Sequence, residues 1–253
     1  MTNQEYHQAE GLSASDFRLL QISPLHLEHK SLFSMDSKSI SIGSALHSLV
    51  LEPQNFHNEF SVEEEFNKRT KAGKEEYEKW CQINKDKTIL SKTEFEKVQK
   101  MAKNVLNITQ NLLSNGIAEK SFLVKDYNGI IRKCRPDYLR EDLKVVIDVK
   151  TTKDGNPFAF SKSIYEYNYH IQAAWYIDTL KLAGVDVERF IFITVESSSP
   201  HMVYILEITQ DAIELGREEY KKLYDEYVAF KQSGNCNVVK QIDLPNWVYE
   251  QSA

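Results

Sequence analysis

The stretch Val145-Val-Ile-Asp-Val-Lys-Thr151 sets a carboxylate and an ammonium inside a run otherwise suited to the middle of a sheet. Its β-branched apolar residues read as a buried strand. Side chains two apart on a strand share a face, so Asp148 and Lys150 stand together, roughly 6–7 Å apart along the chain. The preceding strand, Ile130–Tyr138, ends in Pro136-Asp137. The short link Leu139–Lys144 permits a hairpin-like return that brings Asp137 beside Asp148. Two carboxylates at one edge raise each other's pKa unless a cation lies between them. A divalent metal with oxygen ligands resolves that conflict. The plainer alternative is an intrastrand ion pair between Asp148 and Lys150, with Asp137 capping a turn.

The rest of the chain supplies helices and further strands. Asn128-Gly129 is a hairpin turn between a Ser121–Lys125 strand and the Ile130–Tyr138 strand. Arg189–Glu196 and Met202–Thr209 alternate in the manner of strands and complete the sheet. Ser23-Pro24 starts a short helix over Leu25–Phe33, and Ser41–Glu52 reads as a buried helix stopped by Pro53. Within it, His47 on its own reads as a hydrogen-bonded core residue. Ser91-Lys-Thr-Glu94 is a capping-box pattern that launches an amphipathic helix to about Leu113. A loop over Thr151–Ser163 is expected, then a helix over Ile164–Ala183 ended by Gly184. On that helix Tyr165, Tyr169, Gln172 and Tyr176 form one stripe, and the buried amide of Gln172 requires partners. Thr209 caps a last helix to about Phe230, before a tail holding Pro245, Trp247 and Tyr249.

Five features in order resemble one nuclease group: Pro136-Asp137, Asp148-Val149-Lys150, Thr151-Thr152, the Gln172/Tyr176 pair, and Gly43-Ser-Ala-Leu-His47. Together, from about Ser13 to about Thr209, they resemble the RecE-type (exonuclease VIII-like) phage recombination exonucleases of the PD-(D/E)xK superfamily, relatives of the RecB nuclease domain and the lambda-type exonucleases. The resemblance implies an α/β fold with a restriction-endonuclease-like core, a mixed central sheet flanked by helices and a helical N-terminal elaboration. It implies that Asp137, Asp148, the Val149 carbonyl, His47 and Glu119 ligate Mg²⁺ or Mn²⁺. Lys150 would be the catalytic lysine, with Gln172 and Tyr176 in support. It implies an exodeoxyribonuclease that digests linear double-stranded DNA from the 5′ end. Such enzymes work beside a single-strand annealing protein of the RecT type and assemble as homo-oligomeric rings. A basic stretch, Lys68, Arg69, Lys71 and Lys74, reads as a solvated loop and helix start or as a phosphate-contacting arm; the resemblance favours DNA. The rival readings are an endonuclease or RecB-like single-strand nuclease of the same fold, and a non-catalytic DNA-binding or assembly protein.

Chain length and charge bound these expectations. The 253 residues suffice for one domain: a mainly helical part over 1–115, the sheet with the site residues over 116–210, and a helix and tail over 211–253. The net charge of −6 argues against a broadly basic surface, so any DNA contact must be local. Cys81, Cys134 and Cys236 lie far apart with no CxxC pair, which points to a reducing, cytoplasmic setting without a zinc or iron–sulfur site. No apolar run approaches the ~18 residues of a membrane helix, and the polar start lacks a signal-peptide pattern.

Overall fold

The computed structural model describes residues 1–33, 38–235, 242–244 and 249; side chains of Gln4 and 38–41 are left aside. Cys236, Pro245 and Trp247 lie outside the described residues. The first third is a series of helices: α1 (Asn3–Gln8), α2 (Phe17–Leu20), α3 (Pro24–Glu28), α4 (Lys38–Leu51) and α5 (Phe56–Glu59). Next come β1 (Phe60–Val62), α6 (Lys71–Ile83), β2 (Thr88–Leu90) and α7 (Lys92–Thr109), with β1 and β2 paired in parallel. Both halves of the Ser91–Glu94 capping box form at the start of α7, as the sequence pattern requires.

The central sheet has five strands in the order β3 (Ile117–Ala118), β6 (Tyr138–Arg140), β7 (Val145–Thr152), β8 (Arg189–Glu196) and β9 (Val203–Glu207). β7 and β8 run parallel, in register from Val145↔Arg189 to Thr152↔Glu196, while the other pairings are antiparallel. A parallel pair needs a crossover. It is made by α8 (Pro157–Glu166) and α9 (Tyr169–Leu182). The final helix, α10 (Gln210–Ser233), packs on α9 so closely that a Cβ on Gly216 would lie 2.3 Å from the His170 carbonyl oxygen. This is the mixed sheet flanked by helices that the sequence leads one to expect.

Alternate residues of β7 and β8 point to opposite faces, and both faces are covered. Val146, Phe190 and Phe192 join Phe17, Leu20, Trp175 and Ile213 in one apolar core, against α2, α9 and α10. Val145, Ile147, Ile191 and Ile193 join Leu46, Val98, Met101 and Val105 in another, against α4 and α7. Burial on both sides explains why these strands are apolar throughout rather than alternating.

Three expectations need correction. The strand over Ile130–Tyr138 is two strands in different sheets. β5 (Ile131–Cys134) pairs with β4 (Phe122–Lys125) in a separate hairpin across Asn128-Gly129 and bridges Leu12 on its other side, and β6 belongs to the central sheet. Pro136 stands at the break, where it has no N–H for a ladder. The Thr151–Ser163 loop holds a helix, α8, whose start is Asn156 accepting from the backbone N–H groups of Phe158 and Ala159, with Pro157 in the first turn. The helix placed over Ile164–Ala183 is interrupted at Asn168, which adopts a left-handed backbone (φ 60°). Tyr165 therefore belongs to α8 and does not continue the stripe of Tyr169, Gln172 and Tyr176.

Candidate active site

β6 begins at Tyr138, opposite Ile147, so β7 runs on past the end of its neighbour. The backbone of Val149 consequently has no ladder partner on that side. Two side chains fill the gap: Asp137 Oδ2 accepts from the Val149 N–H at 2.7 Å, and His47 Nε2 meets the Val149 carbonyl oxygen at 2.7 Å. His47 is delivered by α4, where Gly43 brings the helix to within 3.5 Å of the Thr151 Oγ1 as judged from its would-be Cβ. Nδ1 of the same imidazole lies 3.4 Å from Asp137 Oδ2. The strand overhang thus gathers Asp137, Val149 and His47 around one point.

Glu119 joins them from the position just after β3. Its backbone is left-handed (φ 51°), its N–H donates to the Asp137 carbonyl at 3.0 Å, and Arg135 Nε donates to its Oε2 at 2.6 Å. Ligand atoms of His47, Glu119 and Asp137 all fall within 4.8 Å of one another. Asp148 stands apart from this trio: Gln172 Nε2 donates to its Oδ2 at 2.7 Å, and Lys150 Nζ lies 2.5 Å from its Oδ1 as an ion pair. Asp148 is 1% exposed, so its charge depends on these two partners. Tyr176, one turn beyond Gln172, lies in the wall between two cavities and meets Phe190 at 6.1 Å between ring centroids. All eight catalytic and metal-ligating residues read from the sequence therefore converge on the end of β7. The four basic residues do not: Lys68, Arg69, Lys71 and Lys74 are exposed and lie outside the walls of both cavities. Lys68 Nζ instead covers the Tyr77 ring at 3.5 Å, and Lys71 pairs with Glu75 at 4.0 Å.

The electrostatics are those of a site short of positive charge. Burial, and then the neighbouring Asp148, push the Asp137 carboxyl well above its usual range. Burial and Asp137 push Glu119 up to about 7, against the pull of Arg135. Burial lowers His47 and so favours the neutral imidazole that can ligate a metal. At Lys150 burial works against the charged form, but Asp148 and Asp137 outweigh it and its pKa is raised. A divalent cation suits the trio together with the Val149 carbonyl: two carboxylates, a neutral imidazole and a backbone carbonyl are the hard and borderline donors that Mg²⁺ and Mn²⁺ accept. The 2.7 Å between His47 Nε2 and the Val149 oxygen also approaches the spacing of adjacent ligands in an octahedral shell, about 3.0 Å for bonds of about 2.1 Å.

This charge pattern makes a pH prediction. Glu119 titrates at about 7 in the folded protein and at 4.5 in its unperturbed state, so the fold binds the extra proton and this group lowers stability as pH rises through that window. A bound cation would remove the penalty by replacing the proton. Addition of Mn²⁺ at one fixed concentration, about 100 times its Kd at pH 8, should raise the melting temperature by about 5–10 °C near pH 8, and by no more than about half as much near pH 5.5. Equal shifts at the two pH values would rule out Glu119 as a ligand.

Reasoning from sequence missed Arg135. It is 8% exposed and ties Glu119, the Ser121 hydroxyl and the Met1 carbonyl together, with Glu52 at 3.9 Å. A charge next to Pro136-Asp137 within an otherwise strand-like run was its one visible signal. It also missed α1, whose Tyr6 and His7 line both cavities beside the site, one of about 240 Å³ next to Glu119 and one of about 670 Å³ next to Lys150. Lys133 holds α1 down by donating to the carbonyls of Tyr6 (3.0 Å) and Ala9 (2.7 Å).

Residues 13–241 match the model of the PDDEXK-like domain of unknown function, DUF3799. The chain belongs to that family. The match takes in His47, Glu119, Asp137, Asp148, Lys150, Gln172 and Tyr176, whereas α1 precedes it. No curated protein matches the chain. A solved structure of a candidate exonuclease from Eubacterium rectale is similar over 98% of this chain and 97% of its own, with a TM-score of 0.61 and 12% identity. At that identity it shows a shared fold. A phage-related exonuclease from Haemophilus somnus 129PT aligns over 66% of this chain and 85% of its own at 12% identity, with a TM-score of 0.35 that carries no argument. No helix among the described residues is long and apolar enough to cross a membrane.

Proposed function

We propose that this PDDEXK-like chain is a metal-dependent exodeoxyribonuclease that hydrolyses linear double-stranded DNA, 5′ to 3′, leaving 3′ single strands for phage or prophage recombination. The observation that carries the reading is the placement of Asp137, His47 and the Val149 carbonyl around one point, with Lys150 the next residue along the strand. His47, Glu119, Asp137 and the Val149 carbonyl would hold Mg²⁺ or Mn²⁺, with Asp148 beside them. Such an ion supplies Lewis acidity at the phosphoryl group and lowers the pKa of water.

The chain's own residues do the rest. Lys150, an ammonium held by Asp148, offers positive charge to the phosphoryl oxygens as negative charge develops on them. Its raised pKa favours this role, and that of orienting water, over proton abstraction. Gln172 fixes the Asp148 carboxylate, and so the position of Lys150. The exposed Lys68, Arg69, Lys71 and Lys74 would contact the duplex backbone away from the reacting bond, each releasing counterions. A RecE-type role further implies a RecT-type annealing partner, a ring of identical subunits and a cytoplasmic site of action.

Incubation of linear and closed-circular duplex DNA with Mg²⁺, Mn²⁺ or EDTA tests the reading. Metal-dependent loss of linear DNA alone, abolished by Asp148→Ala, is expected, with 5′-labelled ends released first. Cutting of circles would establish an endonuclease instead, and release from 3′ ends would overturn the polarity.

A further inference from the structure

We infer that Tyr167, carried on Tyr169 at the break between α8 and α9, is a stacking platform for a base of the cleaved strand, which enters the site single-stranded. The inference rests on the nuclease reading and adds to it the form of the substrate and a residue that selects it. The 670 Å³ cavity has Lys150, Gln172 and Tyr176 in its wall, and Tyr167, Tyr169 and Lys30 as well. Its volume is that of a ligand cleft.

The break is built to present these rings. Asn168 takes the left-handed conformation between the two helices, and its side-chain amide exchanges two hydrogen bonds with Gln21 of the turn after α2, at 2.9 and 3.3 Å. The backbone that would have continued as one helix instead turns Tyr167 and Tyr169 out side by side, with ring centroids 5.7 Å apart. Tyr169 is fixed from behind by Phe160 and Phe192, at 5.9 and 5.7 Å, and Lys150 Nζ lies 4.7 Å from its ring. Tyr167 is 56% exposed, and Tyr169 is the aromatic ring it touches. A large, half-apolar ring thus stays more than half exposed in the wall of the cavity that also holds the candidate catalytic lysine.

Charge selects the occupant. Lys30 reaches Asp16 at 3.6 Å, with half of its side chain exposed, so it is available to a phosphate, and Lys150 supplies a cation at the inner end. Rings that accept any base, next to cations that follow the backbone, are how proteins hold single strands without reading sequence. A duplex offers its bases only at the edge. The strand bound here must therefore be separated from its complement over the bases that reach Tyr167.

Binding in EDTA, where nothing is cleaved, tests this with a short thymidylate oligomer and an abasic oligomer of the same length and charge, by fluorescence anisotropy. Wild type should prefer the base-bearing oligomer. Tyr167→Ala should bind that oligomer about 5- to 100-fold more weakly and the abasic one unchanged, whereas Tyr167→Trp should keep the preference. Lys30→Gln should weaken both alike and reduce the salt slope by about 0.7. Unchanged binding of the thymidylate oligomer by Tyr167→Ala would overturn the platform while leaving metal-dependent digestion of linear duplex DNA intact. Wild-type protein that neither digests duplex DNA nor binds either oligomer would overturn the nuclease reading itself, and this inference with it.

Discussion

Lys150→Ala should reduce metal-dependent DNA cleavage by about 10²–10⁴-fold while DNA binding falls far less. The loss has a structural component that must be separated from the chemical one. Removing the ammonium leaves Asp148, 1% exposed, with Gln172 as its remaining partner, and breaking a buried pair from one side costs about 3–5 kcal/mol. Adding Asp148→Asn to Lys150→Ala makes the pair neutral and should restore the melting temperature without restoring cleavage. Single-turnover rates of Lys150→Ala on end-labelled duplex, taken well below its melting temperature, make the distinction, because the double variant also lacks the Asp148 carboxylate. If the double variant regained activity, Lys150 would be a structural counter-ion and the site's chemistry would have to lie elsewhere.

Trp175→Ala should destabilise the fold by about 3–5 kcal/mol, a large share of the about 5–15 kcal/mol that holds a typical domain together. Trp175 is wholly buried and meets Phe17 edge-on at 4.8 Å and Tyr220 at 5.4 Å. Its indole N–H donates to the Lys133 carbonyl at 3.1 Å, tying α9 to the hairpin strand that leads into Arg135 and Asp137. The Arg132 guanidinium lies 3.9 Å over the ring and 5.6 Å from that of Tyr220, and among the described residues its Nε and Nη2 find no hydrogen-bond partner. The ring is thus much of what stabilises that cation. Truncation removes packing, a hydrogen bond and a cation's cover at once, so urea unfolding should show more than a simple cavity would. Trp175→Phe should lose about half as much. A loss under about 1 kcal/mol for the alanine variant would mean that α9 is anchored mainly through Gly216 and α10.

The parts of this site that were legible in sequence are those fixed by short-range periodicity. Asp148 and Lys150 share a face because a strand repeats every two residues, and they were conspicuous because the run around them is apolar on both faces. Gln172 announced itself as an amide that had to find a partner, and Asp148 is that partner. What escaped depended on where chain segments change direction. Pro136 was read as the end of a strand, whereas it marks the passage from one sheet to another. Asn156-Pro157 holds a complete helix start inside the stretch expected as loop, and the Gly155 before it fits where a Cβ would lie 2.9 Å from Thr194 Oγ1. Glu119 reaches Asp137 only through a left-handed backbone that no residue preference forecasts for glutamate.

The site draws on both layers that cover the sheet. His47 comes from the helix packed against the Ile147 face, and Gln172 from the helix packed against the Val146 face. Neither layer alone contains the donors that surround the end of β7. During folding, a half-assembled intermediate with one layer docked would expose the strand but could not yet gather a metal or orient the lysine. Any nuclease activity of the proposed site therefore requires both layers to be docked on the sheet, so local opening of either one would disarm it.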